Sequence, residues 1–576
     1  MKLREALEII RAARTDPAEN GRYLLACSST PIHTQTFFRA HLLARRSGAG
    51  VQVDTSRYGD LLGSLEDFNP AGYAGAAVLL EWYDLDPRLG FRRLGGWAPG
   101  AFDDIFAAVG ASLDRLRRSL ARISESVPVA LMLPTLPLPP LEISTPAQAL
   151  NVETRLQRAV WAFAEDAASL RGVKLASAAE LDRLSPPADR FDLRAELAQG
   201  CPYRLPHASA VAELLVELLI PAPALKGLIT DLDDTLWSGI LGEVGVSGIQ
   251  FTLEGGAQIH GLYQQFLNSL AERGVLLAIA SKNDPARVDE ALSRSDLLVK
   301  RDSFFPVEVH WGPKSESVAR ILEAWNIGPD AVAFVDDSPL EAAEVQSRFP
   351  EVRCLRFPAG EPEQMPAFFH TLREWFGRPA IQAEDRIRAR SIRDGAEARS
   401  AENAAGDREA FLASLDARLA FRLSRDASDE RALELVNKTN QFNLNGRRIP
   451  EAQWREMLAR PEAFLLTVEY SDKFGPLGKI AVAAGERRGS AAVVSCWVMS
   501  CRAFSRRIEH ATLRRLFEEL KVNDILFEYQ ATERNGPLGE FFAGLGIGGT
   551  DPKLSRADFD ARCPTLSHAI QEAAHV

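Results

Sequence analysis

Cysteine is scarce in this chain. Six are scattered over 576 residues (Cys27, Cys201, Cys354, Cys496, Cys501 and Cys563), with no C-x-x-C pair and no dense spacing. That pattern excludes a disulfide framework and a zinc site built on paired cysteines, and it fits a reducing compartment. Long apolar runs are missing as well. No stretch approaches the length of a membrane span, and the first ten residues alternate charged and apolar side chains at helical spacing where a signal peptide would carry an apolar core. A cytoplasmic protein without a membrane partner is expected. Excess positive charge is also absent: 67 Lys and Arg face 78 Asp and Glu, a net charge of −11, which argues against general nucleic-acid binding. What is left is ordinary globular composition in a chain too long for one core, so three or four domains are expected.

The chemistry is concentrated in four places, each at or near the end of a short apolar run. Lys226 to Thr230 reads as a buried strand that delivers Asp231 and Asp233 at its carboxyl end, where open α/β sheets place their sites. Val275 to Ala280 ends in Ser281-Lys282-Asn283. Lys314 precedes a helical pattern, and Ala331 to Val335 ends in Asp336-Asp337-Ser338-Pro339. Carboxylates at i and i+2 can hold a hard cation and leave one free to attack an electrophile. A nucleophilic carboxylate, an acid or base beside it, a hydroxyl, a lysine and acidic ligands for Mg²⁺ are what phosphoryl transfer through an aspartyl-phosphate needs. The set resembles the four motifs of the haloacid dehalogenase (HAD) superfamily. About fifty residues separate Asp231 from Ser281 and about thirty separate Ser281 from Lys314, too few for an added cap domain. An open site suits a substrate that is large or carried on a protein.

Strands and helices alternate before this region, which predicts a doubly wound α/β domain over residues 1–222. Ser29 after the first strand, the acidic turn Glu81 to Asp84 and the late His207 resemble the order found in SGNH-type hydrolases. Position 204 is Arg where such esterases place an Asp, and no Asn-Asp pair follows the middle strand. A non-catalytic docking or scaffold unit is therefore expected, in which Ser28 and Ser29 cap the following helix and His207 is structural; an esterase is the other reading. A proline hinge near residue 222 opens the phosphotransferase unit, 223–375. Residues 376–408 read as a charged helical linker. The last segment, 409–576, has a strand, turn, basic helix, strand order that resembles the GNAT fold, an α+β domain. The turn Cys501 to Arg507 lacks the glycines that would let backbone N–H groups cradle a CoA pyrophosphate.

In combination, Thr230 to Trp237 with the flap Gly239 to Glu243, Ala280 to Asp284, Trp311 to Glu316, Phe334 to Pro339, Asn437 to Leu444 and Met499 to Arg502 resemble the FkbH-type branch of HAD phosphatases. The resemblance implies an enzyme of polyketide or related biosynthesis. Such an enzyme takes a phosphorylated three-carbon acid of the 1,3-bisphosphoglycerate type, removes phosphate and delivers the acyl unit to the phosphopantetheine arm of an acyl carrier protein. It further implies Asp231 as nucleophile, Asp233 as acid/base, Ser281 and Lys314 as phosphoryl anchors, and Mg²⁺ held by Asp231, the Asp233 carbonyl, Asp336 and, through water, Asp337. Two positions depart from that pattern. Ala280 stands where a cysteine is common, and Ser338 with Leu340 to Ala343 replaces the usual Asn and Glu-Arg. A free phosphatase whose outer domains serve assembly, and a non-catalytic carrier-binding adaptor, are the other readings.

With Ala280 in that place, Cys501 is the remaining candidate for a covalent acyl site. It neighbours Arg502, Arg506 and Arg507 before a basic helix, where guanidinium charge and the helix dipole favour a thiolate. A small buried packing residue is the other reading. Arg502, Arg506, Arg507, Arg514 and Arg515 together read either as a helix face paired with Glu509, Glu518 and Glu519, or as a landing surface for an acidic partner or a phosphopantetheine phosphate.

Overall fold

The computed structural model describes residues 1–13, 21–46, 50–94, 96–143, 151–378, 392–393, 412–439, 442–473, 475–500, 506–532, 535–548 and 552–572. The expected linker 376–408 falls almost wholly outside them, as do Cys501 and Arg502. The chain is a mixed α/β protein that divides into two compact units, Met1–Ala222 with Pro450–Ala452, and Pro223–Ile449 with Gln453–Val576. Among the described residues no helix is long and apolar enough to cross a membrane.

The first unit is built on five parallel strands, β1 (Gly21–Ala26), β2 (Val51–Thr55), β3 (Gly75–Leu79), β4 (Val129–Met132) and β5 (Val173–Leu175), in the order β2-β1-β3-β4-β5. Crossover helices cover both faces, so the strands are buried on both sides and read as unbroken apolar runs, not as alternation. One face packs Leu24, Val78 and Leu131, the other Leu25, Ala77 and Ala130.

The second unit begins with another five-stranded parallel sheet: β6 (Gly227–Thr230), β7 (Leu276–Ser281), β8 (Phe304–Val309), β9 (Val332–Asp336) and β10 (Arg353–Arg356), ordered β10-β9-β6-β7-β8. Successive residues of β6 serve opposite cores. Leu228 joins Leu277, Ile279 and Val335 on one face, and Ile229 joins Ala278, Ala280 and Phe334 on the other. Strand β6 begins at a glycine because the ring of Trp325 lies against it, 2.3 Å from where a Cβ would stand. No folded domain is inserted after β6 or β7. Residues 238–257 form a flap tied by backbone hydrogen bonds between Ser238 and Gln250, and a short helix, Pro285–Leu292, follows β7.

The remaining eight strands are β11 (Arg418–Ser424), β12 (Phe442–Asn443), β13 (Ala463–Asp472), β14 (Gly475–Arg488), β15 (Ala491–Met499), β16 (Asp524–Phe527), β17 (Lys553–Ser555) and β18 (Ala569–Glu572). They form one mixed sheet, β17-β16-β15-β14-β13-β11-β18, with β12 against β15. Strands β15 and β16 run parallel, joined through the helix Ile508–Leu520, and pair only as far as Val494 and Phe527. Beyond that point the chain's own segment enters between them. Leu444 donates its N–H to Trp497 O (2.9 Å) and accepts from Gln530 N–H (3.1 Å). Buried Asn445 and Asn535 secure this wedge, Asn445 donating to Ser495 O and Glu528 O and Asn535 to Asn443 O and Gln530 O.

Candidate active site

In an open parallel sheet the crevice lies where the strand order reverses, outside the carboxyl ends of the strands on either side. In the second sheet those strands are β6 and β9, and they end at Asp231 and Asp336. The parallel register pairs Thr230 with Val335, and Asp231 N–H continues it to Val335 O at 3.0 Å. The two acids are therefore held side by side by the backbone ladder.

Lys314 opens the helix Lys314–Trp325 and brings its ammonium between them, 2.9 Å from Asp231 Oδ1 and 2.7 Å from Asp336 Oδ2. All three side chains are buried. The helix start is fixed by Glu344, whose Oε2 accepts Ser315 N–H at 3.0 Å. Asp337 completes an acidic trio: one carboxylate oxygen from each of Asp231, Asp336 and Asp337 lies within 4.8 Å of the others. Burial pushes the Asp231 carboxyl up to about 7 against the pull of Lys314, with Asp336 adding to the rise. Burial and then Asp336 raise Asp337 likewise. Burial works against the charge on Lys314, but Asp231 and Asp336 outweigh it and hold the ammonium above its ordinary value. Burial is the larger cause for Asp231, and the two aspartates together are what raise Lys314. Three carboxylates around one lysine, all offering oxygen, match a hard divalent cation such as Mg²⁺.

Asp233 is held apart from that trio. Its Oδ1 accepts from Trp237 Nε1 (3.0 Å) and Leu241 N–H (3.1 Å), and its Oδ2 accepts from Asn283 Nδ2 (2.9 Å). The turn that allows this passes through Asp234 at φ 48, left-handed backbone steadied by Gly239 N–H on Asp234 Oδ1 at 2.8 Å. Ser281 is buried at the end of β7, with Asn283 Nδ2 3.4 Å from its Oγ. Thr235 accepts Asp337 N–H at 3.1 Å. Asn283 and Trp237 were not singled out from sequence, although Asn283 stands two residues beyond Ser281 and Trp237 one helical turn beyond Asp233. The flap over this end is pinned by Arg294, which donates to Val246 O and Ile249 O, and by Arg287 on Gly242 O.

The arginines before the last basic helix do not gather into a cradle among the described residues. Arg506 is buried, 3.5 Å from Asp472 and over the ring of Tyr470. Arg507 donates to Thr565 O at 2.7 Å. Arg515 pairs with Glu518 and Glu519, and Arg514 reaches Cys563 Sγ.

In the first unit, among the described residues, no hydrogen bond joins Ser29 and His207. His207 is fully buried, its Nε2 3.0 Å from Thr135 Oγ1 and its Nδ1 3.0 Å from Ser185 Oγ. Burial, with Arg190 adding, lowers its pKa to about 3. Glu81, pushed up to about 7 by burial, accepts from Thr135 N–H, Thr135 Oγ1, Leu136 N–H and Tyr203 OH. Ser28 caps a helix, but not the one that follows it. Its Oγ accepts Leu61 N–H (3.1 Å) at the start of Leu61–Asp67, whereas the helix Ile32–Arg45 starts after Pro31 without a side-chain cap.

No family model matches the chain, and no curated protein matches its sequence. Among solved structures, the chain is similar to the N-terminal part of the protein BF1531 from Bacteroides fragilis, which contains a phosphatase domain complexed with Mg. The TM-score is 0.52 at 17% identity, covering 65% of this chain and 98% of that one. A HAD family enzyme from Bacteroides thetaiotaomicron, complexed with magnesium and inorganic phosphate, matches at a TM-score of 0.18 and 15% identity over 24% of this chain and 96% of its own. The first likeness is one of fold.

Proposed function

We propose that this chain is a Mg²⁺-dependent phosphatase of HAD type that works through an aspartyl-phosphate at Asp231. The observation that carries the reading is the junction of Lys314 with Asp231 and Asp336 at the switch point of the sheet, with Asp337 beside them. Likeness of fold to a Mg-complexed phosphatase domain supports it. A cation held by Asp231, Asp336 and Asp337 would offset the charge of the phosphoryl oxygens. Asp231 attacks phosphorus as the bond to the leaving oxygen breaks, and Asp233, oriented by Asn283, Trp237 and the Leu241 N–H, gives that oxygen its proton. Water then attacks the aspartyl-phosphate and returns a proton to Asp233, releasing inorganic phosphate. Lys314 and Ser281 hold phosphoryl oxygens throughout.

The finer reading is a phosphorylated three-carbon acid as substrate and an acyl carrier protein as recipient of the acyl unit. It rests on the FkbH-type motifs and on the absence of an inserted cap over the site. A covalent acyl-enzyme would have to use Cys501, which lies outside the described residues. Burial pushes the thiols of Cys27 and Cys496 up to about 12 and that of Cys354 up to about 11, and it raises Cys201 and Cys563. None of these is a ready thiolate. Ala280 packs in the core with Val318 and Ile321, which leaves only Cys501 for that role. Incubation with 1,3-bisphosphoglycerate, Mg²⁺ and carrier proteins, read by phosphate release and intact carrier mass, tests both levels. Mg²⁺-dependent phosphate release with a heavier carrier supports the full reading, release with an unchanged carrier leaves the free phosphatase, and no release contradicts both.

A further inference from the structure

The candidate site is recessed and charged, yet the loops around it hold apolar side chains in solvent. Ile240 and Val244 stand on the flap after β6, Leu340 on the helix after β9, and Trp311 in the loop between β8 and Lys314; Trp311 and Leu340 are each 74% exposed. Scattered exposed apolar residues need no explanation. Four on the three segments that follow the carboxyl ends of β6, β8 and β9 are less scattered than that.

Trp311 differs from the rest in how its backbone is held. His310 N–H donates to Ser281 O at 3.2 Å. The His310 ring accepts Gly312 N–H on Nδ1 at 2.9 Å, and its Nε2 lies 2.7 Å from Ser317 Oγ. One histidine thus ties the residues on both sides of Trp311 to the end of β7 and to the helix that Lys314 opens. The loop is fixed, the indole is in solvent, and Lys314 follows three residues later. An aromatic face on a fixed loop binds without first losing backbone freedom.

On the phosphoryl-transfer reading, we infer that Trp311 is a positioning residue whose indole packs against the organic body of the substrate while Lys314 and the aspartates hold its phosphoryl end. The substrate class is then a phosphate ester or acyl phosphate with a planar or apolar surface next to the phosphoryl group, which a three-carbon acid alone does not supply and a larger or carrier-bound substrate would. The test is calorimetry of the full-length protein, with Mg²⁺, against two non-hydrolysable probes, phenylphosphonate and methylphosphonate. Wild type is expected to prefer phenylphosphonate by about tenfold. Trp311→Ala should erase the preference and Trp311→Phe should keep most of it. No preference in wild type, or an equal preference in Trp311→Ala, overturns the inference. A separate assay of phosphate release from acetyl phosphate shows whether the phosphatase reading itself stands, since a protein that keeps the Trp311-dependent preference without turnover defeats that reading alone.

Discussion

The two parallel sheets of this protein pose one electrostatic problem and answer it in opposite ways. Each brings carboxylates to the carboxyl ends of strands beside its switch point: buried Glu81 and half-buried Asp84 after β3, and buried Asp231 after β6 with buried Asp336 at the end of β9. In the first sheet Glu81 is met by four donors from its own surroundings, and the adjoining His207 has a hydroxyl at each ring nitrogen. Around Glu81 and His207 the network is closed, although Asp84 Oδ1 is buried without a hydrogen-bond partner. In the second sheet three carboxylates share one lysine, so the site is short of positive charge. Topology therefore locates a crevice in both sheets, and the supply of donors decides which one can do chemistry.

That contrast fails if the second site is as inert as the first. Asp231→Asn should reduce phosphate release by at least about a thousandfold, because the amide is a poor nucleophile and removes an anionic metal ligand. Lys314→Ala should cost about a hundredfold or more in turnover, the scale found when one fixed charge-stabilising group is removed. Wild-type rates in either variant, measured by steady-state phosphate release, would make the cluster structural.

The next prediction sharpens the other side. His207 takes up a proton near 6.5 when unfolded but only near 3 when folded. As pH falls from 6.5 towards 3 the unfolded chain gains a proton that the folded unit refuses, so His207 alone lowers stability by about 1.4 kcal/mol per pH unit in that window. Glu81 and Asp84, both raised to about 7, act in the opposite direction, so the readout is a difference between proteins. Hydrogen exchange of β3 and β4 amides should lose protection more steeply between pH 6.5 and 4.5 in wild type than in His207→Gln. Parallel profiles would contradict the closed-network account. The smallest effect is expected for Ser29→Ala, which should leave phosphate release unchanged and reveal no esterase activity that it removes. Hydrolysis of 4-nitrophenyl acetate that disappears in this variant would make the first crevice catalytic after all.

Much of the second site was legible in the sequence because parallel strands announce themselves as short apolar runs and their carboxyl ends are where the acids fall. Asp231, Ser281 and Asp336 each close such a run. The contacts that orient them were not legible, since they join residues far apart in sequence. Asn283 reaches Asp233 across 50 positions, and Glu344 fixes the helix of Lys314 across 29. The wedge at Leu444 is similar: nothing in Phe442 to Asn445 says that the segment will part β15 from β16, because that depends on where those strands cease to pair. The cap expected of Ser28 went to a helix about thirty residues on for the same reason, as a hydroxyl serves whichever N–H the fold brings to it.

The proposed mechanism turns on an aspartyl-phosphate at Asp231. It is tested most directly by quenching the wild-type protein in acid during turnover of acetyl phosphate with Mg²⁺, trapping with borohydride and mapping the modified peptide by mass. Modification is expected at Asp231 and is lost in Asp231→Asn. Continued phosphate release with no modified aspartate, or with the label on another residue, would contradict it.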